Sequence, residues 1–148
     1  MTIKSALTDA LHKAIKANDP ISKTAIRLAM TSIKRAEVDK GEDLDDLSIF
    51  SILQKEVKTR EETIAEAEKA ERKEMIITLK EEITIIQKFL PVELDDLKLQ
   101  KIIEEVISDQ EAASIKQMGM VMKIVIEKVQ GQASNDRISK IVKSILTS

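Results

Sequence analysis

The sequence predicts an all-α fold in two packed helical subdomains, and three observations carry that prediction. Apolar residues recur at intervals of three and four along most of the chain, and no segment sustains the alternation of a strand. Helix breakers are scarce, with 3 Gly and 2 Pro in 148 residues, whereas Ala, Leu, Ile, Glu and Lys abound. Pro91 then separates a stretch of longer periodic segments from a stretch of shorter ones. With no Trp, no Tyr and 2 Phe, the core must be aliphatic. A chain of this length buries roughly 68–70% of its unfolded surface, enough for a stable interior.

The first helix is marked by Ile3, Leu7, Leu11 and Ile15, an i, i+4 stripe expected to face inward. It stops near Asn18, after which Asp19-Pro20 supplies a cap and a helix-starting proline. The second helix carries Ile26, Ala29, Ile33 and Ala36 and ends at Lys40-Gly41, where glycine suits the left-handed cap. After the polar loop GEDLDDLS, a third helix begins near Ser48, places Ile49, Leu53, Val57 and Ile64 inward, and runs to about Glu71. A fourth bears Met75, Ile76, Leu79, Ile83, Ile86 and Leu90 until Pro91 ends it, because proline lacks the N–H and restrains the residue before it. This places a boundary between an N-terminal bundle of about four helices, residues 1–90, and a C-terminal three-helix subdomain, residues 91–148. In the latter, Asp95 or Asp96 caps a helix with Leu99, Ile102, Ile103 and Val106. Ser114 caps one with Met118, Val121, Met122, Val125 and Val129, and Asn135 caps one with Ile138, Ile141, Val142 and Ile145.

Several function classes are excluded by composition. The absence of Cys removes disulfides, thiolate nucleophiles and Cys-based zinc sites. No apolar run exceeds three residues, far short of the roughly 20 that a membrane-spanning helix needs. The opening stretch MTIKSALTDALHKAIKA is amphipathic, contains Asp9 and lacks both Arg and a long apolar core. It therefore reads as the first helix of a soluble, cytoplasmic protein rather than a targeting segment. The net charge of −2 is unevenly distributed. Residues 1–40 hold 8 basic and 4 acidic side chains, residues 41–111 hold 10 and 20, and residues 112–148 hold 6 and 2. An anion-binding face is thus compatible with a weakly acidic chain.

Candidate chemistry is sparse. His12, the single histidine, stands three residues after Asp9 and reads as a partly exposed surface side chain, since the paired Glu-x-x-His pattern of bundle metal sites is missing. The pairs Glu61-Glu62, Glu81-Glu82 and Glu104-Glu105 are adjacent, so their side chains diverge by about 100° on a helix and read as solvated faces. Gly-rich phosphate loops and nucleophile elbows are absent. The chain is accordingly expected to be no enzyme on its own, with no cofactor and no metal.

One stretch remains, MGMVMKIVIEKVQGQASNDR, beginning at Met118. Its methionines are one turn apart at Met118 and Met122 and fit a buried stripe. Gly119, costly inside a helix by about 1 kcal/mol, is expected where another backbone approaches closely. Gly131 suits a helix end, and Lys123, Lys128, Arg137, Lys140 and Lys143 surround that break, opposed by Glu127 and Asp136. The turn and the start of the last helix offer N–H groups to an anion. Without an aromatic here to stack bases, any nucleic-acid contact would involve phosphate and ribose.

RLAMTSIKRAEVDKG and ILQKEVKTREETIAEAEKAER, followed by KFLPVEL, IIEEVI, MGMVMKIVIEKVQGQAS and the closing IVKSIL, resemble the GatB/YqeY family in that order over essentially the whole chain. The resemblance implies a stand-alone relative of the C-terminal tail of the tRNA-dependent amidotransferase B subunit, which helps grip tRNA while chemistry occurs elsewhere. It places the family's small residues at Gly119, Gly131 and Ala133 and its following polar residue at Ser134. Gln130 and Gln132 flank Gly131 where basic residues would serve phosphate better. The expected function is a non-catalytic tRNA-binding or amidotransferase-related accessory module. Lys123, Lys128, Arg137, Lys140 and Lys143 would sit on phosphates, with Gly131 and Ser134 at the approach, and Pro91, Gly119 and Gly131 would shape the fold. Expected partners are tRNA and a tRNA amidotransferase or aminoacyl-tRNA synthetase complex, with no membrane. Two alternatives stand beside it: a protein–protein adaptor without an RNA role, and a component of a glutamine-dependent carbon–nitrogen ligase.

Overall fold

The computed structural model describes residues 2–148 and contains seven α-helices and one 3-10 turn, with no strand among the described residues. The chain divides between Leu90 and Pro91 into two compact units. The first holds α1 (Ile3–Lys16), α2 (Pro20–Lys40), α3 (Asp46–Lys69) and α4 (Lys73–Gln87). The second holds α5 (Asp96–Asp109), the 3-10 turn Ile115–Gln117, α6 (Met118–Val129) and α7 (Asn135–Thr147).

Helix ends follow capping chemistry. Asp19 accepts the Ser22 N–H at 3.1 Å with Pro20 in the first helical position, and Gly41, at φ 80°, closes α2 by donating its N–H to the Glu37 carbonyl. α3 begins near Ser48 as expected, and among the cap candidates of the polar loop it is Asp45 that accepts the Ser48 N–H, at 3.0 Å. Three starts or stops differ from the sequence expectation, those of α4, α6 and α7. α4 ends at Gln87, and Lys88 to Leu90 continue in tighter turns toward Pro91. α7 is capped by Ser134, whose hydroxyl accepts the Arg137 N–H, while Asn135 is its first residue. Consecutive polar residues in these loops all have capping side chains, and the extended backbone selects among them. Ser114 precedes the 3-10 turn, so α6 starts at Met118.

The N-terminal core gathers Leu7, Ile26, Ile33, Ile49, Leu53 and Ile86. On α1 the expected stripe is used except at its end: Leu7 is buried and Ile3 and Leu11 pack against the core, yet Ile15 is 43% exposed, with Ala14 buried in its place. Neighbouring residues diverge by about 100°, and the smaller side chain permits closer packing. Two charged residues are also buried here, Arg60 and Glu37. Arg60 donates from Nε to Glu82 Oε1 at 3.0 Å and from Nη1 to Glu56 Oε2 at 2.8 Å, and the Ser32 hydroxyl reaches Glu56 Oε1 at 2.7 Å. The cluster ties α2, α3 and α4 together and corrects the reading of Glu82 as a solvated carboxylate. Glu81, one step around the helix, does face solvent.

The C-terminal core is aliphatic throughout. Leu99, Ile103 and Val106 from α5 pack with Val121, Val125 and Val129 from α6 and with Ile138, Val142 and Leu146 from α7. Spacing of three or four in each helix builds one stripe per helix, and the three stripes meet.

Candidate nucleic-acid interface

The turn between α6 and α7 is set by two consecutive left-handed residues. Gln130, at φ 46°, terminates α6, and Gly131 follows at φ 81°. A glycine holds that conformation without the steric penalty a side chain pays, which is the local reason for Gly131. The Gln132 N–H then returns to the Val129 carbonyl at 2.9 Å, and Ala133 is buried. Gln130 folds back, its side-chain amide donating to the Glu127 carbonyl.

The segment entering α5 lies against this turn. The Leu94 N–H donates to the Gln132 carbonyl at 2.8 Å, and the Leu94 carbonyl accepts from Arg137 Nη2 at 2.9 Å. The same nitrogen reaches Asp96 Oδ1 at 2.8 Å. Arg137, placed by sequence reasoning among phosphate ligands, thus has its guanidinium engaged within the unit, locking the residues after Pro91 onto the start of α7. No local pattern announces this contact, because Leu94 and Arg137 are 43 positions apart.

The lysines are arranged differently. Lys123, Lys128, Lys140 and Lys143 are all exposed. On α7, Lys140 and Lys143 are three residues apart, so they share the outer face opposite Ile138, Val142 and Leu146. Lys140 pairs with Asp136 at 3.1 Å but keeps a side chain 76% exposed, and so is held weakly. On α6, Lys123 and Lys128 are five residues apart, about 140° around the axis, and leave from different sides. The structure therefore brings Lys140 and Lys143 onto one face and separates the α6 pair. The start of α7 is closed by the Ser134 hydroxyl and carries Asp136 in its first turn. Met118 and Met122 are half-buried against the core, as their spacing predicts, and Met120 points out.

Gly119 does not do what the sequence suggested. It is exposed, and a Cβ built there would meet no atom within 4 Å outside its own helix. No backbone approaches it, so the expected close helix contact is corrected. Pro91 is half-buried at the unit boundary, and among the described residues no helix is long and apolar enough to cross a membrane.

A four-helix unit followed by a three-helix unit with a lysine-studded exterior defines a small all-α protein of two helical units. The YqeY-like protein family model matches residues 4–146, and the chain belongs to that family. Among curated relatives it is similar to altered inheritance of mitochondria protein 41, mitochondrial, from several yeasts. The Kluyveromyces lactis protein is 31% identical over 121 residues, 77% of this chain and 65% of that relative. The Saccharomyces cerevisiae S288c protein is 30% identical over 135 residues, 86% of this chain and 68% of the relative. The match with the Lachancea thermotolerans protein is 35% over 81 residues, 54% of this chain and 43% of the relative. The chain thus spans about two thirds or less of the length of these relatives. Their names also correct the cytoplasmic expectation, since all three are named as mitochondrial. The composition of residues 3–16 was a poor guide to cellular address because that segment is α1, shaped by packing through Leu7 and Ala14.

Proposed function

We propose that the chain is a non-catalytic accessory module that holds tRNA through its C-terminal unit, in association with tRNA amidation or aminoacylation. The observation that carries this reading is the charge layout of α6 and α7. Four exposed lysines lie there outside an aliphatic core, and residues 112–148 hold 6 basic and 2 acidic side chains, whereas the other acidic residues of the unit gather between Glu93 and Glu111. Membership of a family related to the amidotransferase B-subunit tail supports the choice of tRNA over other polyanions.

In this reading Lys140 and Lys143 bind neighbouring phosphates from one face, while Lys123 and Lys128 reach the backbone on either side. Arg137 serves by fixing the turn, and Gly131 by giving it its shape. Binding of this kind follows the phosphate backbone and reads sequence weakly. Titration with uncharged tRNA and with a length-matched duplex RNA, at two salt concentrations, tests it. Tighter binding to tRNA that weakens with salt is expected; equal, negligible binding of both RNAs would refute it. The isolated chain is expected to show no glutamine-dependent amidation of misacylated tRNA, and measurable turnover would favour the ligase alternative.

A further inference from the structure

A second surface lies in the N-terminal unit, where α1 and α2 leave an open groove of about 690 Å³. Its floor is apolar. On α1, Leu7 is buried below it, Leu11 is half-exposed, and the same stripe runs on to the exposed Ile15. On α2, Met30 and Val38 face it, with Val38 68% exposed. Arg27, Met30, Lys34 and Val38 follow one another at three- and four-residue intervals along α2; Arg27, Lys34 and Val38 are exposed, and Met30, half-buried against the core, lies at the inner edge of this face.

The rim is basic. Arg27, Lys34 and Arg35 line the groove, and none makes an ion pair among the described residues. Lys4, also at the rim, is held by Glu37 at 2.8 Å. Glu37 is itself buried and additionally accepts the Leu44 N–H, which leaves Asp39 as the acidic side chain available at the edge. An apolar floor is the wrong surface for a phosphate backbone, and a basic rim is the wrong one for a neutral apolar helix. Both are matched by an amphipathic helix with acidic flanks. From Arg27 to Val38 the face is about 16 Å long, three turns at 1.5 Å per residue, the length over which i, i+3, i+4 and i+7 anchors engage a groove. Met30 gives the floor an adaptable side chain.

We propose that the α1–α2 groove is a docking site for a partner protein's amphipathic α-helix, its apolar face on Leu11, Met30 and Val38 and its carboxylates on Arg27, Lys34 and Arg35. This site is independent of the RNA reading of the C-terminal unit.

The test is selection of a phage-displayed library of 16-residue helical peptides, randomised in both apolar and charged positions, on the full-length chain. Counter-selection uses the full-length triple variant R27E/K34E/R35E, with circular dichroism to verify its helical content. All three positions lie on the outer face of α2, so folding should be unaffected. Enriched peptides should carry Leu, Ile or Met at i, i+3 or i+4, and i+7, flanked by Asp or Glu. They should bind the triple variant at least tenfold more weakly, and V38D should weaken them as well. Enrichment of peptides without acidic flanks, equal binding to the triple variant, or no enrichment would overturn the proposal. So would displacement of the labelled peptide by duplex RNA with the same salt dependence as RNA binding itself, which would mark the rim as part of a nucleic-acid surface.

Discussion

In the N-terminal unit a buried arginine sits between two carboxylates drawn from α3 and α4; in the C-terminal unit every buried side chain is apolar. The difference follows from what each set of helices must bury. α3 presents Ile49, Leu53, Val57 and Ala67 as its apolar buried residues along 24 positions, with Arg60 among them, so part of its contact with α4 is made by charge. α5, α6 and α7 are 12 to 14 residues long, and each offers three buried apolar side chains that meet in one core. Buried ion pairs depend on complete pairing, whereas aliphatic cores depend on filled volume. The two units should accordingly fail under different insults.

The largest expected effect is at Arg60. R60M leaves Glu56 and Glu82 facing each other without a counter-charge and should cost about 3–5 kcal/mol, the usual penalty for breaking a buried pair. Urea unfolding followed by amide exchange should show the loss in residues 2–90 only. Replacing Glu56, Arg60 and Glu82 together by apolar residues should recover most of it. If R60M were as stable as the parent, the cluster would be ornamental and the contrast between the units would collapse.

I138A comes next and should destabilise the C-terminal unit by roughly 2–4 kcal/mol, because it empties volume in a fully buried position. A charge-neutral cavity of this kind should leave the pH profile of that unit unchanged. Acid should separate the units in the opposite sense. The Lys4 ammonium and then the Leu44 N–H hold the Glu37 carboxyl below its ordinary value of 4.5. The Ser22 hydroxyl and N–H do the same for Asp19, and those of Ser48 for Asp45, both below 3.8. A carboxyl depressed in the folded state stabilises above its unfolded value, and the contribution is lost as pH falls through the folded one. All three lie in the N-terminal unit, so it should lose stability first as pH drops below about 4.5. Exchange-detected acid titration, with E37Q removing part of the effect, checks this. The smallest effect is at Gly119: G119A should stabilise by up to about 1 kcal/mol, since helix propensity improves and no atom is in the way. A loss of stability would restore the close contact that sequence reasoning expected there.

What was legible in the sequence was the local part. Helical periodicity, the Asp19-Pro20 start and the Gly41 cap each depend on residues within a few positions of one another, and each appears where those residues stand, whereas α4 ends at Gln87, short of the expected stop at Pro91. Cap identity slipped at Asn135, where adjacent Ser134 has equivalent chemistry, and at Ser114, which leads into the 3-10 turn ahead of α6. The buried role of Glu82 was hidden because its partner Arg60 is 22 positions away, and adjacent Glu81 is solvated. The lysines of the candidate interface were legible as charges, yet their division between a shared face on α7 and two sides of α6 requires the helix axes. Arg137 looked like its neighbours in the sequence and differs from them only through Leu94 and Asp96. The α1–α2 groove was invisible for the same reason: it forms between helices whose facing residues, Leu11 on α1 and Val38 on α2, are far apart in the sequence.

The claim that the C-terminal lysines contact tRNA phosphates is tested most directly by the salt dependence of tRNA affinity in the parent chain and in K140E and K143E. Plotted as log affinity against log salt, the parent should give a steep negative slope, and each substitution should make it shallower by about one. The N-terminal charge-reversal variant R27E/K34E/R35E should leave that slope unchanged. An unaltered slope in K140E and K143E, or an equal loss on reversing the N-terminal cations, would contradict the account.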